Sequence, residues 1–472
     1  MSTGLKLGEE AGREDRTQSY SEAVMIDPED GRAVRKMIFT LAGPSLAEML
    51  LINLTQMVMM IFVGHLGTAS VAAVGFTSQI YALMTVIFAA LNTGTTVIVA
   101  RSVGSGRRED ANRAAGQSLL LGAMLSAVIM LVGLLFVGKL LGMMGADAAV
   151  VQEGLTYARL MFISVAFSSV SSSLSAILRG AGDTRTPMKI NVASAYVSVS
   201  LGFVFIYGHL GLPALGTTGA AAATLTVQFG AMLTFLLVMF SGKFELALSW
   251  REISRFDKKT IGRMLRIGIP ASLEQLVMRL GIMTFVKIGA GLGTTAIAAS
   301  QLVTNVIGLS FMPGAAFAIA ASTLVGQSLG VGKADLAERY VRQVRKYGMA
   351  LAAVVGAIFI GFAPQILSLY TNDATMIREG TWALRIVGCI QVSQISQFIV
   401  GGALRGAGDT RYPLYSTMIG VWGVRVVLSF VFVYIFGWGM IGLWSAVACD
   451  QFLRSHLIYL RYKRMAWKKL KV

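Results

Sequence analysis

Two glutamates lie where hydrocarbon should exclude them. Glu48 interrupts the run PSLAEMLLINL and Glu274 the run PASLEQLVM, each four residues beyond a proline, Pro44 or Pro270. An ionisable side chain at the centre of a bilayer costs about 2.5–3.5 kcal/mol even on a lenient insertion scale, so each needs a reason. Proline withdraws a backbone donor and loosens the helix beside the acid. Carbonyls released there can join a carboxylate in holding Na⁺. A carboxylate kept from water also takes up a proton more readily and returns it when the site hydrates. Glu274 and Glu48 are therefore the ion-coupling candidates. The plainer reading is that each is locked by an arginine or a hydrogen bond and only holds a bundle together. Arg279, five residues beyond Glu274, is poorly spaced for a pair on one helix, so such a partner would come from another helix.

Other polar side chains interrupt the apolar runs. Asn53 and Gln56 follow Glu48; Met278 and Arg279 follow Glu274; Gln394 and Gln397 belong to the stretch QVSQISQ, and Ser168 and Ser171 to FSSVSSSLS. These line a substrate cleft or merely satisfy interhelical hydrogen bonds, and the sequence favours neither. Among 25 methionines, several neighbour the glutamates. Flexible thioethers suit a site that accepts many shapes, and also ordinary packing. Arg425 and Asp450 have opposite charge and can pair, as a structural bridge or a proton relay. His65, His209 and His456 are isolated, so no metal cluster is expected. No Walker loop, nucleophile elbow or zincin signature occurs, so neither an enzyme nor a cofactor is expected.

The elements that position these groups must be membrane helices. The 472 residues are 55% hydrophobic and 14% charged, against about 25% charged in soluble proteins. Twelve apolar runs reach the ~20 residues needed to span hydrocarbon. They cover roughly 37–63, 71–100, 114–138, 156–178, 189–209 and 219–241, then 265–289, 296–325, 348–369, 382–404, 414–436 and 440–462. With the first span begun at 37, Glu48 lies eleven residues in, about 16 Å deep and near the midplane. A shift of 226 residues carries Pro44 onto Pro270, Glu48 onto Glu274, Gly67 onto Gly293, Asp147 onto Asp373 and Gly216 onto Gly442. The chain is a duplicated bundle, and because six spans is an even number the two halves enter the membrane from one side, as parallel repeats.

Basic residues cluster after the even-numbered spans (Arg107, Arg108 and Arg113; Lys243, Arg251 and Arg255; Arg339, Arg342 and Arg345) and in the tail RYKRMAWKKLKV. The opposite loops hold one arginine, Arg378. Both termini are therefore expected in the cytoplasm, at the cell membrane. The net charge of +17 then faces lipid headgroups, and no nucleic-acid partner is needed. The organisation expected is a polar leader over 1–34, an N-lobe over 35–241, a linker over 242–264, a C-lobe over 265–462 and a basic tail over 463–472. Cys389 and Cys449 lie in apolar runs and read as packing residues.

One loop is written twice: LRGAGDTRTP at 178–187 and LRGAGDTRYP at 404–413. Arg179 and Arg405 end a helix, where a cation meets the negative end of the dipole. Gly180 and Gly182, and their mates Gly406 and Gly408, let the chain reverse. Asp183 or Thr186 can cap the next helix, with Pro187 close to its first position, and Asp409 is the mate of Asp183. With GHLGTASVAAVG after the first span and VGQSLGVGKADLAER after the eighth, this chain resembles the multidrug and toxic compound extrusion (MATE) family over residues 35–462. The loop RSVGSGRREDANR lacks the G-x-x-x-D-R-x-G pattern of the major facilitator superfamily. The resemblance implies two six-helix lobes in a V around a central cleft. It also implies export of cationic amphiphilic compounds, driven by inward Na⁺ or H⁺ through alternating access, with one chain sufficient as a monomer. A flippase for lipid-linked oligosaccharide or another polyprenyl carrier is the alternative. Three acids of the family pattern are absent, their positions held by Met278, Met59 and Gln394, so the family's ion site does not transfer residue by residue.

Overall fold

The computed structural model describes residues 30–143, 145, 147–209, 211–241, 252–253 and 256–470. The expected leader (as far as residue 29), most of the linker with Lys243, Arg251 and Arg255, and the last two residues of the tail lie outside them. Among the described residues there is no strand. The long helices are α1 (Gly31–Gly64), α2 (Thr68–Gly104), α3 (Arg108–Met143), α4 (Ala148–Ala181), α5 (Arg185–Tyr207), α6 (Gly216–Phe240), α7 (Lys258–Ala290), α8 (Thr294–Gly330), α9 (Ala334–Gly361), α10 (Ala374–Gly406), α11 (Arg411–Ile435) and α12 (Gly439–Lys463). Eleven are long and apolar enough to cross a membrane; α12 falls short because it carries Asp450, Arg454, Arg461 and Lys463. The chain is an all-α, multi-pass membrane protein.

Most of these helices outrun the spans that hydropathy marks. α1 begins at Gly31 and α3 at Arg108, each six residues before its apolar run. Residues such as Ala, Arg and Glu are strong helix formers in or out of oil, so the helix continues where the hydrocarbon ends.

The chain forms two compact units. The N-lobe is Ala47–Gly268. The C-lobe is Ile269 onward together with the start of α1, up to Leu46. The chain thus changes unit inside α1 and inside α7, close to Pro44 and Pro270.

In the N-lobe, Val63, Tyr157, Ile206 and Ala221 form one core cluster and Ile80, Leu141 and Phe162 another. In the C-lobe, Phe285, Val303, Leu384 and Trp444 pack together. A second C-lobe cluster joins Ile38 and Leu41 of α1 to Leu324, Tyr340, Ile399 and Trp467. Small residues set the helix spacing: a Cβ on Gly94 would collide with the carbonyl oxygen of Met264, and one on Gly402 with that of Ala318. Close backbone approach of this kind replaces the hydrophobic drive that lipid cannot supply.

The repeat is visible in the helix starts: Thr68 and Thr294, Arg108 and Ala334, Ala148 and Ala374, Arg185 and Arg411 are each 226 apart. The register slips inside α11. The Tyr207 hydroxyl donates to the Phe62 carbonyl (3.2 Å), and the Tyr434 hydroxyl to that of Ile288 (3.1 Å). The acceptors are 226 apart but the tyrosines 227, so α11 holds one residue more than α5. The extra residue is absorbed by π-helical turns over Met418–Val426 and Val431–Ile435, since a π-bulge is a one-residue insertion into an α-helix. Beyond it α6 and α12 start 223 residues apart, at Gly216 and Gly439. Gly219, not Gly216, is thus the counterpart of Gly442: each faces the backbone of a matched phenylalanine, Phe205 or Phe432.

Candidate functional site

The repeated loop closes a corner in each lobe. Gly182 and Gly408 take φ of 99° and 90°, a conformation costly for any residue with a Cβ. In both, the following backbone amides return to the helix end: Asp183 N–H donates to the Leu178 carbonyl and Asp409 N–H to that of Leu404, each at 2.8 Å. Gly180 and Gly406 do different work. A Cβ on Gly180 would lie 2.8 Å from the Thr96 carbonyl oxygen, and one on Gly406 would collide with that of Ser322. The motif's glycines therefore divide between a left-handed turn and tight helix packing. Asp183 accepts from the amides of Arg185 (2.9 Å) and Thr186 (3.0 Å), capping α5. Its mate Asp409 instead accepts from Arg461 Nε of α12 at 2.7 Å.

The corner's arginine reaches the buried acid. In the N-lobe, Arg179 Nη2 donates to Glu48 Oε1 at 2.6 Å, and Asn191 Nδ2 donates to the same oxygen at 2.7 Å. In the C-lobe, Arg405 Nη2 donates to Glu274 Oε1 at 3.1 Å and Oε2 at 3.3 Å, with the Thr417 hydroxyl 3.4 Å from Oε1. Glu48 and Glu274, Arg179 and Arg405, Asn191 and Thr417 are all 226 apart: one three-residue constellation, built twice. Both carboxylates are buried. Glu48 Oε2 is sealed from solvent and has no hydrogen-bond partner.

Glu48 touches Asn191, six residues into the 23-residue α5. The partner of Glu274 comes from another helix, as the spacing of Arg279 implied; Arg279 itself makes no hydrogen bond or ion pair among the described residues and is part-exposed.

The cleft candidates separate by environment. Asn53 bonds its own helix at the Met49 carbonyl (3.0 Å), and Gln56 is exposed. Ser168 accepts from the Tyr81 hydroxyl (3.1 Å) and Ser171 bonds back to the Phe167 carbonyl (3.0 Å). With Asn92 bonded to Ser172 (3.2 Å), these serines of α4 are engaged by bonds to their own helix or to a neighbouring one. In α10, by contrast, Gln391, Gln394 and Gln397 each leave Oε1 buried without a partner. They recur every three residues and so share one face. Met278 is part-exposed.

Arg425 and Asp450 meet inside the C-lobe, Arg425 Nε donating to Asp450 Oδ2 at 2.9 Å. A third member was not foreseen: Arg454 donates from Nε to Asp450 Oδ1 (2.7 Å) and from Nη2 to Oδ2 (2.9 Å), and Gln451 accepts from the same Nη2. The four-residue spacing of Asp450 and Arg454 on one helix was the available signal. The cluster is buried and holds two cations and one anion.

A fold of twelve membrane helices, a set of six written twice, with a buried acid held by the corner arginine in each copy, defines a duplicated membrane transporter rather than an enzyme. The MatE family model matches residues 44–204 and 270–431, two segments that begin 226 apart. The chain therefore belongs to the MatE family of transporters. It is 29% identical over 446 residues to the "Probable multidrug resistance protein NorM" of Thermotoga maritima, covering 94% of this chain and 95% of that protein. It is 25% identical to the "Uncharacterized transporter YisQ" of Bacillus subtilis, covering 91% and 94%. Among solved structures, a MOP superfamily transporter from Pyrococcus furiosus superposes with a TM-score of 0.87 at 25% identity, over 96% of this chain and 99% of that one.

Proposed function

We propose that this transporter exports small cationic amphiphilic compounds across the cell membrane by alternating access, in exchange for inward Na⁺ or H⁺, with both termini in the cytoplasm and one chain sufficient. The observation that carries the reading is the duplicated glutamate–arginine constellation. A carboxylate balanced by one guanidinium changes partners when it takes up a proton or a cation. In each lobe that carboxylate is borne on α1 or α7, the helices in which the chain changes unit. Glu48 offers its unpartnered Oε2 for the purpose. The multidrug-resistance name of the Thermotoga relative supports the substrate class. Asn53, Gln56, Met278, Arg279, Gln394, Gln397, Ser168 and Ser171 are the proposed substrate contacts; the unpartnered amide oxygens of Gln394 and Gln397 are the best suited to a cation. No observation favours the polyprenyl-carrier flippase.

The test is uptake of a cationic dye in proteoliposomes under separately imposed Na⁺ and pH gradients. One gradient should drive transport, and Glu274→Gln should abolish it while the protein still reaches the membrane. Full coupled transport in that variant removes Glu274 as the coupling site, and transport that ignores both gradients removes antiport.

A further inference from the structure

A second site stands apart from the glutamates, at the basic end of the C-lobe. After α12 the chain turns sharply at Met465, the one described residue other than glycine with positive φ (53°). Trp467 is thereby laid flat on Tyr462, with ring centroids 5.4 Å apart and planes at 11°, and it donates from Nε1 to the Tyr462 carbonyl at 2.9 Å. The turn also brings Lys468 to Glu338 (2.8 Å) and Asp335 (3.2 Å) of α9. Glu338 is bonded by Arg342 as well, at 3.1 Å. Glu338, the acid that lines the adjoining cavity, is thus satisfied by two cations that do not include the next three.

Those three are Arg345, Lys346 and Lys463, and they line a cavity of about 360 Å³ between α9 and the end of α12. Arg345 donates from Nε to the Ser396 hydroxyl (2.8 Å) and stacks over the Tyr459 ring at 4.3 Å; Lys463 approaches the same ring at 5.3 Å. No carboxylate pairs with any of the three among the described residues. The cavity also touches Tyr462, a buried residue whose hydroxyl has no hydrogen-bond partner. A sealed phenolic hydroxyl without a partner is rare and asks for a missing acceptor. The remaining wall is apolar, from Val341, Met349 and Met465.

We propose that this cavity binds the phosphodiester headgroup of an anionic glycerophospholipid. Three unmatched cations and an unpartnered hydroxyl supply the donors that phosphate oxygens need. The apolar run of α9 begins just past Lys346, at Tyr347, and Lys463 ends α12. The site therefore lies at headgroup level, where basic pockets between membrane helices recognise lipid, and its apolar wall is placed for the first acyl carbons. This assignment goes beyond the transport reading and stands or falls without it.

The experiment uses the full chain, delipidated in detergent and titrated with phosphatidylglycerol, phosphatidylcholine or inorganic phosphate, with binding read by native mass spectrometry. One phosphatidylglycerol is expected to bind at least tenfold more tightly than phosphatidylcholine. Lys346→Gln and Lys463→Gln, both exposed and outside the packed core, should each weaken it about fivefold. Tyr462→Phe keeps the Trp467 stack and should weaken it severalfold. Equal affinity for the two lipids, or undiminished binding in both lysine variants, overturns the site. Inorganic phosphate that binds alone as tightly as the lipid overturns the lipid assignment in favour of free phosphate.

Discussion

Replacing Glu48 by Gln tests the constellation with one atom's change. The amide keeps an oxygen for Asn191 and the same volume, so the variant isolates the charge. It leaves the Arg179 guanidinium without its anion. Removing one member of a fully buried pair costs about 3–5 kcal/mol. Here the Arg179 side chain is 22% exposed and that of Glu48 4%, so part of the guanidinium reaches solvent and the cost falls to about 2–3 kcal/mol. In the C-lobe the bonds are longer, 3.1–3.4 Å against 2.6–2.7 Å, and the exposures are 24% and 11%. Glu274→Gln should therefore cost less, about 1–2 kcal/mol. The assay is unfolding in mixed micelles under an SDS titration, completed as a cycle with Arg179→Met. The double variant should recover at least about 1 kcal/mol of the summed single losses. A Glu48→Gln protein within about 0.5 kcal/mol of the parent, or a cycle that is additive, refutes the view that Arg179 is the energetic partner of Glu48.

Two further outcomes are expected. Asp450→Asn should destabilise by about 3–5 kcal/mol in the same titration, because it strands two buried guanidiniums; replacing Arg425, Asp450 and Arg454 together by apolar residues should restore most of that loss, and a triple variant worse than the single one counts against the charge argument. Asp257, outside the membrane segments, caps α7 by accepting from the Lys259 amide (2.9 Å), the Thr260 amide (3.3 Å) and the Thr260 hydroxyl (2.7 Å). The Thr260 hydroxyl bond, above all, holds its carboxyl below the ordinary value of 3.8. A lowered carboxylate contributes stability above that value and loses it as pH falls through the folded one. Asp257→Ala should thus cost about 1 kcal/mol at neutral pH, and the gap should close below pH 3.8 in thermal melts; a gap constant with pH excludes the cap.

The twelve helices were legible because hydrocarbon imposes a length and an apolar composition on every span. Their true ends were not, since hydropathy registers oil while helix propensity carries α1 back to Gly31 and α3 to Arg108. The glutamates were found as candidates because charge in an apolar run is conspicuous. Their arginines were missed although both pairs are 131 residues apart. Arg179 and Arg405 each end a helix, where the dipole already accounts for a cation. The shift that links Glu48 to Glu274 links those arginines too, and that shared spacing is the signal for the pairing. The π-helical insertion was hidden for a subtler reason. One residue in α11 shifts no hydrophobic run, and only the matched tyrosine bonds to Phe62 and Ile288 expose it.

That insertion bears on why the halves differ. With α6 and α12 aligned from their starts, 223 residues apart, Asp450 corresponds to Val227 and Arg454 to Ala231. Val227 and Ala231 are both buried, so the N-lobe fills with hydrocarbon the positions that the C-lobe gives to charge. The bundle itself therefore does not require the cluster. Apolar packing at such positions is often as stable as a buried ion pair or more so, which leaves stability a poor reason to keep it. Arg425 completes the cluster from within the π-helical segment that the N-lobe lacks. Insertion and charge thus occur together, in one lobe only. Such π-bulges are frequent at functional sites. The shared glutamate–arginine corners are what the duplication preserved; the Arg425–Asp450–Arg454 cluster, like the Asp409–Arg461 bond, is a feature the C-lobe holds alone among the described residues.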